Sequence, residues 1–250
     1  MRTIKLILAY DGTAYAGWQV QPGHDTVQGV LEAALEKITG APVRVTASGR
    51  TDAGVHALGQ VASFTTESRH PAEVFQRALN AELPHDVAVL EAAEAQEGFH
   101  AIRDSVRKRY RYIIHDGPVR DVFRRRYCWG VYERLDAEAM QRAAQPLAGK
   151  HDFSSFQSSG AERATSVRTI YGISVKRGRL AERDLLTTEV EADGFLYNMV
   201  RAIVGTLVEV GRGARAESWP AEVLQATDRR AAGPTAPPQG LFLVRVEYEV

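Results

Sequence analysis

Three short stretches of the sequence combine residue types that could do chemistry. The first, Ser48–Ala57, reads SGRTDAGVHA and places an arginine, a hydroxyl and a carboxylate (Arg50, Thr51 and Asp52) between two glycines. Glycine permits backbone conformations closed to other residues, so such a loop can hold a carboxylate in an unusual position. The alternative is an ordinary turn in which Asp52 caps its own loop, and spacing alone favours that alternative.

The second stretch, RKRYRY at residues 107–112, interleaves cations with aromatic rings. On a strand, Tyr110 and Tyr112 would share one face, and Arg109 and Arg111 would share the other. Bases can stack on such rings while phosphates approach the cations, so the pattern favours nucleic-acid binding. A half-buried edge strand with solvated charges is the alternative interpretation.

The third stretch, GFLYNMVR at residues 194–201, places Arg201 inside an otherwise apolar predicted helix. A buried arginine without a partner costs several kcal/mol, so a buried Arg201 would need a carboxylate such as Asp52. Snorkelling of the guanidinium to the surface is the alternative.

The composition excludes several classes of protein for this chain. The chain has 250 residues, is 44% apolar and 25% charged, and carries one cysteine, Cys128, which excludes an internal disulfide framework. Its longest nearly apolar stretches, Ile4–Tyr10 and Met199–Val210, are interrupted by Lys5 and Arg201 and are too short for a membrane helix. The seven histidines are scattered, and no dinucleotide or phosphate-binding glycine loop is present. We therefore expect a cytoplasmic protein that needs no metal or cofactor and does not contact a membrane.

The charge is uneven although its formal sum is zero. Arginine supplies 26 of the 31 basic residues. Residues 82–98 hold five acids and no Lys or Arg, whereas residues 100–126 hold nine Lys or Arg and three acids. A local patch of this kind can gather phosphates on a neutral molecule.

Hydrophobic periodicity predicts the elements that must position these stretches. In the first half, Asp25 and Gln28 suggest a capping box for the first helix, and the acidic Asp86–Gln96 reads as a connection. The predicted strands are Ile4–Tyr10, Val43–Ala47, Gln60–Thr65, a strand from Arg109 onward, Thr169–Lys176, Leu185–Glu191 and Leu241–Val250. The predicted helices are Thr26–Thr39, Pro71–Ala81, Asp136–Leu147 and Met199–Val210. The halves share an element order, which predicts two α+β subdomains, residues 1–105 and 106–250, with mostly antiparallel sheets joined into one platform. Three loops that mix glycine with charge are candidates for the site: Tyr10–Pro22, Ser48–Gly59 and Gly233–Gly240.

Seven motifs, taken together and in order, resemble the TruA family of tRNA pseudouridine synthases. GRTDAGVHA is highly specific, and the match spans nearly the whole chain. The motifs are Gly17-Trp18-Gln19, Thr26-Val27-Gln28-Gly29, Gly49–Ala57, Arg109–Tyr112, His151–Phe156, Phe195–Arg201 and Ala236–Leu241.

The resemblance implies an isomerase with the pseudouridine synthase fold, two RRM-like or ferredoxin-like subdomains with the active-site cleft between them. Its members convert uridine to pseudouridine at positions 38, 39 and 40 of the tRNA anticodon stem-loop, without a cofactor or metal. They act as homodimers in which one tRNA touches both subunits.

The resemblance also implies roles for single residues. Asp52 is the catalytic carboxylate, Arg201 is its ion-pair partner, and Tyr110 stacks on the target base. Arg50 would help to extrude that base, which must leave its stack to react, or would fill the space that the base leaves. The candidate phosphate contacts form one basic patch: Arg103, Arg107, Lys108, Arg111, Arg124, Arg125 and Arg126. Two alternatives are a catalytically silent RRM-like RNA-binding protein and a glycosidase that releases free base.

Overall fold

The computed structural model describes residues 1–158, 160, 165–178 and 184–249. It comprises two compact units, Met1–Val106 with Phe242–Val250, and Arg107–Leu241. The sequence predicts that all of residues 106–250 belong to the second subdomain. The structure corrects this prediction for the C-terminal segment, which belongs to the first unit. The predicted last strand ends at Val250, which lies outside the described residues.

Both units mix strands and helices, which confirms the α+β class. The strands, in chain order, are β1 (Arg2–Tyr10), β2 (Thr46–Ala47), β3 (His56–Thr66), β4 (Val87–Glu94), β5 (Ser105–His115), β6 (Trp129–Gly130), β7 (Gly149–Asp152), β8 (Val167–Arg177), β9 (Leu185–Ala192) and β10 (Leu241–Tyr248). The helices are α1 (Val27–Thr39), α2 (Ala72–Glu82), α3 (Ala137–Ala144), α4 (Met199–Gly211) and α5 (Trp219–Ala226). No helix among the described residues is long and apolar enough to span a bilayer.

The first unit is built on a sheet in the order β4, β1, β3, β10. Strand β1 pairs antiparallel with both β3 and β4. The C-terminal strand joins this sheet because Phe242 and Leu243 pair in parallel with His56 and Ala57 of β3. Alternation along β1 buries every second side chain, including Ile4, as expected for a sheet with one core face.

The second unit has a sheet in the order β5, β9, β8, β7, in which these neighbours are antiparallel. The short β6 adds in parallel to β5. Helix α4 is buried on almost every side, which is why its sequence is apolar nearly throughout.

The start of α1 differs from the predicted capping box. Thr26, rather than Asp25, is the N-cap, and its Oγ1 accepts a hydrogen bond from Gly29 N at 3.3 Å. Gln28 points elsewhere: its Nε2 donates to Val45 O at 3.1 Å, and its Oε1 accepts from Val20 N. The threonine hydroxyl, held in extended backbone next to the first helical residue, thus pairs with one of the N–H groups that have no partner within the helix, the role predicted for Asp25.

Several predicted bounds also change. Asp86–Gln96, interpreted as a connection, contains β4, in which Val87 and Val89 are buried. The strand predicted at Val43–Ala47 is only two residues long, and β3 begins four residues before Gln60. Pro146 ends α3 early, because the chain continues as a 3-10 turn at Gln145–Leu147. Helix α5 was not predicted.

Close packing inside the second unit gives a stability prediction. A Cβ added at Gly205 of α4 would lie 1.7 Å from Pro234 O, whereas one added at Gly172 of β8 would meet nothing within 4 Å. We expect Gly205→Ala to reduce the free energy of unfolding by roughly 3 kcal/mol or more, which lowers the melting temperature by roughly 6–12 °C. Thermal unfolding followed by circular dichroism measures this, with Gly172→Ala as control. Equal melting temperatures for the two variants would contradict the packing described.

Candidate active site

The loop that carries Asp52 connects β2 to β3 in the first unit. Thr51 and Val55 are buried, Asp52 is half-exposed, and Arg50 is exposed. Val55 N donates to Asp52 O at 3.1 Å, which closes the turn, and Gly54 adopts a φ of 76° within it. The backbone on both sides of Asp52 is therefore held by the fold while the residue itself keeps access to solvent.

A buried network of polar side chains lies under this loop. The hydroxyl of Tyr10, at the end of β1, and Thr51 Oγ1 are 2.8 Å apart in a hydrogen bond. Gln60 of β3 donates from Nε2 to Gly49 O at 3.0 Å and to the Tyr10 hydroxyl at 3.4 Å. Its Oε1 accepts from Ser48 Oγ at 2.8 Å. Two strands thus hold the loop at the residue before Asp52 and again at Ser48 and Gly49.

Burial keeps the Tyr10 hydroxyl of this network protonated. Tyr10 is 4% exposed and Gln60 is 0% exposed. Burial raises the pKa of Tyr10 to about 12, against the opposing hydrogen bonds from Thr51 and Gln60. Tyr10 therefore stays a neutral hydroxyl at any physiological pH and serves as a hydrogen-bonding strut rather than a proton carrier.

The predicted loop Tyr10–Pro22 packs directly against this loop. Trp18 N donates to Thr51 O at 3.0 Å, and Gly54 N donates to Tyr15 O at 3.3 Å. A Cβ at Gly12 would lie 2.0 Å from Val55 O, and one at Gly17, which has a φ of 96°, would lie 2.7 Å from Thr51 O. Only glycine fits at these two positions, because the backbones approach too closely for any side chain.

The motif that begins α1 continues the same support. Val27 N donates to Gly17 O, and Gln28 N donates to Trp18 O at 3.0 Å. On the other side of the loop, the buried His56 accepts a bond from Gly12 N at 3.1 Å and stacks on Phe242 at 4.7 Å between ring centroids. Three motifs that are separate in sequence therefore meet around Asp52.

In the second unit, β5 separates its tyrosines from its arginines as predicted, but the two tyrosines are not equivalent. Tyr112 is 0% exposed and donates its hydroxyl to Pro237 O at 2.7 Å. Burial raises its pKa far above the usual value, although the nearby Arg201 guanidinium opposes this. Tyr110 is half-buried and meets Phe195 edge to face at 5.0 Å. Tyr112 is thus a core residue, and Tyr110 is the ring of the pair that keeps an accessible surface.

The arginines of β5 face acids on β9. Arg107 and Arg109 pair with Glu191, and Arg111 pairs with Glu189. Burial acts to raise the pKa of Glu191, but the hydrogen bonds from Arg109 and Arg107 hold it below its usual range. The cations on this face are therefore organised by cross-strand ion pairs, a pattern that needs the strand register and was not predicted.

Arg201 lies in the first turn of α4 and is half-buried. Its Nε donates to Ala236 O and its Nη1 donates to Asn198 Oδ1, both at 2.7 Å. Asn198 has a φ of 61°, a left-handed conformation that is uncommon outside glycine and occurs at constrained functional sites. Its Nδ2 donates to Ser158 Oγ at 3.1 Å. The guanidinium is oriented on two sides by protein groups rather than extended freely to the surface.

The predicted loop Gly233–Gly240 completes this arrangement. Ala236 accepts from the Arg201 side chain and donates its N–H to Arg201 O at 3.1 Å, while Pro237 accepts from Tyr112. The loop therefore ties α4 to β5. Phe195 lies in a stretch that the sequence analysis singled out, but its contact with Tyr110 was not predicted. The carbonyls of Ala236 and Pro237 were not predicted either, since backbone acceptors leave no trace in residue type.

The remaining predicted residues lie at three places in the described chain. Lys108 is half-buried on β5, and Arg103 is exposed beside Asp104, to which it donates at 2.8 Å. The third group, Arg124, Arg125 and Arg126, lies on an exposed turn between β5 and β6. Asp52 and Arg50 belong to the first unit and Tyr110 and Arg201 to the second, so the pairing of Asp52 with Arg201 stays a prediction.

Comparison with known proteins identifies the family. A family model described as tRNA pseudouridine synthase matches residues 6–103 and 143–249. Over 248 residues the chain is 45% identical to tRNA pseudouridine synthase A of Thermoanaerobacter sp., covering 99% of this chain and 100% of that protein. It is 48% identical over 248 residues to the protein of that name from Pelobacter propionicus, with the same shares covered. With that from Halalkalibacterium halodurans it shares 50% over 243 residues, 97% of this chain and 91% of that protein.

Similarity to a solved structure is weaker. An H/ACA RNP bound to a substrate RNA containing 2'-deoxyuridine aligns with a TM-score of 0.36 and 12% identity, over 90% of this chain and 60% of that chain. The assignment therefore rests on the sequence matches, which span the motifs around Asp52 and Arg201. The chain belongs to the family of tRNA pseudouridine synthases.

Proposed function

We propose that this protein isomerises uridine to pseudouridine at positions 38, 39 and 40 of the tRNA anticodon stem-loop, with Asp52 as the catalytic carboxylate. The observation that carries the proposal is the support of the Asp52 loop. Tyr10, Gln60 and the close approach of Gly12 and Gly17 fix its backbone, while Asp52 stays half-exposed. Pre-organisation of this kind is what a positioned catalytic group requires.

The reaction needs only one carboxylate. The N1–C1′ bond of uridine breaks, the uracil turns while bound, and a C5–C1′ bond forms. The proton on C5 is then lost and N1 gains one, so atoms and charge balance without a cofactor. A glycosidase usually places an acid and a base across the bond, and no second carboxylate is required here.

Arg201 and Tyr110 complete the proposed catalytic set. An arginine beside a carboxylate favours its ionised form, so Arg201 would keep Asp52 charged and oriented. Tyr110 would stack on the target base, supported at its edge by Phe195. The exposed Arg50 would assist extrusion of the base.

The substrate would be held mainly through its phosphates, as structured RNA is recognised chiefly by backbone geometry. The proposed contacts are Arg103, Arg107, Lys108, Arg111, Arg124, Arg125 and Arg126. We also propose a homodimer in which one tRNA touches both subunits, and a cytoplasmic location, where tRNA is processed. A monomer in sedimentation at assay concentrations would contradict the dimer.

The first prediction concerns Asp52. Replacing it with asparagine keeps the shape and removes the charge, so we expect release of tritium from tRNA carrying [5-³H]uridine to fall by about 10³-fold or more. Binding of tRNA in a filter assay should persist. Equal tritium release by the wild type and the variant would show that Asp52 is not the catalytic carboxylate. Binding without release by the wild type would favour the silent RNA-binding alternative, and liberated uracil would favour the glycosidase.

The second prediction concerns the support of the loop. Tyr10→Phe removes the bond with Thr51 Oγ1 and the longer bond from Gln60 Nε2 but leaves the ring in place, so the loop loses a restraint next to Asp52. We expect kcat to fall by about 10-fold, KM to change little, and stability to fall by about 1 kcal/mol. The control is Tyr15→Phe, which loses a 2.6 Å bond to Asp86 and should keep its kcat. Equal kcat values for the two variants would remove the special role of Tyr10.

The third prediction concerns the basic turn. Affinity for tRNA should fall linearly with salt concentration on logarithmic axes. Replacing Arg124, Arg125 and Arg126 together with glutamine should reduce that slope by about 2, at roughly 0.7–0.9 per phosphate contact. Arg142→Gln is the control, because that exposed arginine is paired with Glu217 on another part of the unit. An unchanged slope in the triple variant would show that this turn does not contact phosphates.

A further inference from the structure

The turn between β5 and β6 exposes apolar surface that the proposed chemistry does not use. Phe123 is 89% exposed, and Val119 and Val122 are 74% and 50% exposed. A nearly fully exposed phenylalanine is costly in water, where burying its ring would be worth roughly 1.5–3 kcal/mol. Single exposed apolar residues are ordinary on a protein surface, but three in one short segment that also includes a phenylalanine are a candidate interaction site.

The exposure of Phe123 is built into a hydrogen-bonded turn. Asp121 Oδ1 accepts from the backbone N–H groups of Phe123 and Arg124, both at 2.9 Å. These bonds, led by the one from Arg124, hold the pKa of Asp121 below its usual range despite some burial. Tyr127 N then donates to Arg124 O at 2.7 Å, and Cys128 Sγ donates to the same oxygen at 3.2 Å. The local bonds thus fix the backbone that projects the ring outward.

The charge around this ring selects the occupant. Residues 117–127 contain four arginines and one acid, and Arg120, Arg124, Arg125 and Arg126 are all exposed. Contact with the same turn of a second copy would bring like charges together. A neutral apolar partner would offer no negative charge to the arginines. An aromatic face among cations is the pattern that binds single-stranded nucleic acid, with bases on the ring and phosphates on the cations.

We propose that Phe123 stacks on an unpaired base of the substrate RNA, while the arginines beside it contact the adjacent phosphates. The inference rests on the proposed function, because it takes the anticodon stem-loop as the RNA and its loop as the source of the unpaired base. It adds a base contact outside the residues assigned to the reaction.

The test is binding of a hairpin with the anticodon stem-loop sequence, compared with a blunt duplex of the same stem, over a series of salt concentrations. We expect Phe123→Ala and Phe123→Leu to weaken hairpin binding by about 5- to 150-fold at every salt concentration. Phe123→Trp should bind at least as well as the wild type. The salt slope should not change, because stacking releases no counterions, and duplex binding should not change either. Val119→Ala is the control, an exposed apolar side chain of the same segment without a ring.

Several outcomes would overturn the inference. If Phe123→Leu bound the hairpin with wild-type affinity, the contact would need only an aliphatic side chain and not a ring. If the variants lost affinity equally for the hairpin and the duplex, Phe123 would not contact an unpaired base. A change from dimer to monomer in sedimentation of Phe123→Ala would assign the ring to a second copy of the chain. Tritium release by the wild type, measured in parallel, separates the stacking of Phe123 from the proposed function. If the wild type releases tritium and Phe123→Ala binds the hairpin with unchanged affinity, only the stacking is rejected. If the wild type releases no tritium, the proposed function is rejected.

Discussion

The position of the Asp52 loop depends on one buried hydrogen bond, between the Tyr10 hydroxyl and Thr51 Oγ1. It joins the end of β1 to the residue before Asp52, and Gln60 extends it to Gly49 and Ser48. Buried polar groups of this kind stabilise a structure only when each has a partner. Because these groups satisfy one another, the loop has a defined position without covering Asp52, and a fixed but accessible carboxylate is what the proposed isomerisation needs.

In the second unit, backbone carbonyls and one side-chain amide oxygen hold the side chains in place. Arg201 is oriented by the carbonyl of Ala236 and the amide of Asn198, and Tyr112 is fixed by Pro237. The two neighbouring tyrosines therefore differ: Tyr112 is a core residue, and the ring of Tyr110 keeps an accessible surface. Ion pairs between β5 and β9 then organise the arginines of the opposite face. In both units, structural residues hold the residues proposed for chemistry.

Much of this could be predicted from the sequence. Alternation predicted β1, the spacing of apolar residues predicted α1 and α4, and glycine mixed with charge marked the loops that surround Asp52 and contact Arg201. What could not be predicted needed tertiary information. Gln60 lies in a strand with both faces buried, and only that burial shows that its amide must have partners. The pairing of Arg111 with Glu189 needs the register of β5 and β9, and the acidic composition of residues 86–96 concealed the two buried valines of β4.

A double-mutant cycle measures whether the hydrogen bond between Tyr10 and Thr51 positions Asp52. Single-turnover tritium release would be measured for wild type, Tyr10→Phe, Thr51→Val and the double variant. Because both hydroxyls belong to one hydrogen bond, either substitution removes it. We therefore expect the double variant to lose hardly more activity than the worse single variant. Rate losses that multiply in the double variant would show that Tyr10 and Thr51 act independently, and would contradict the claim that their bond positions Asp52.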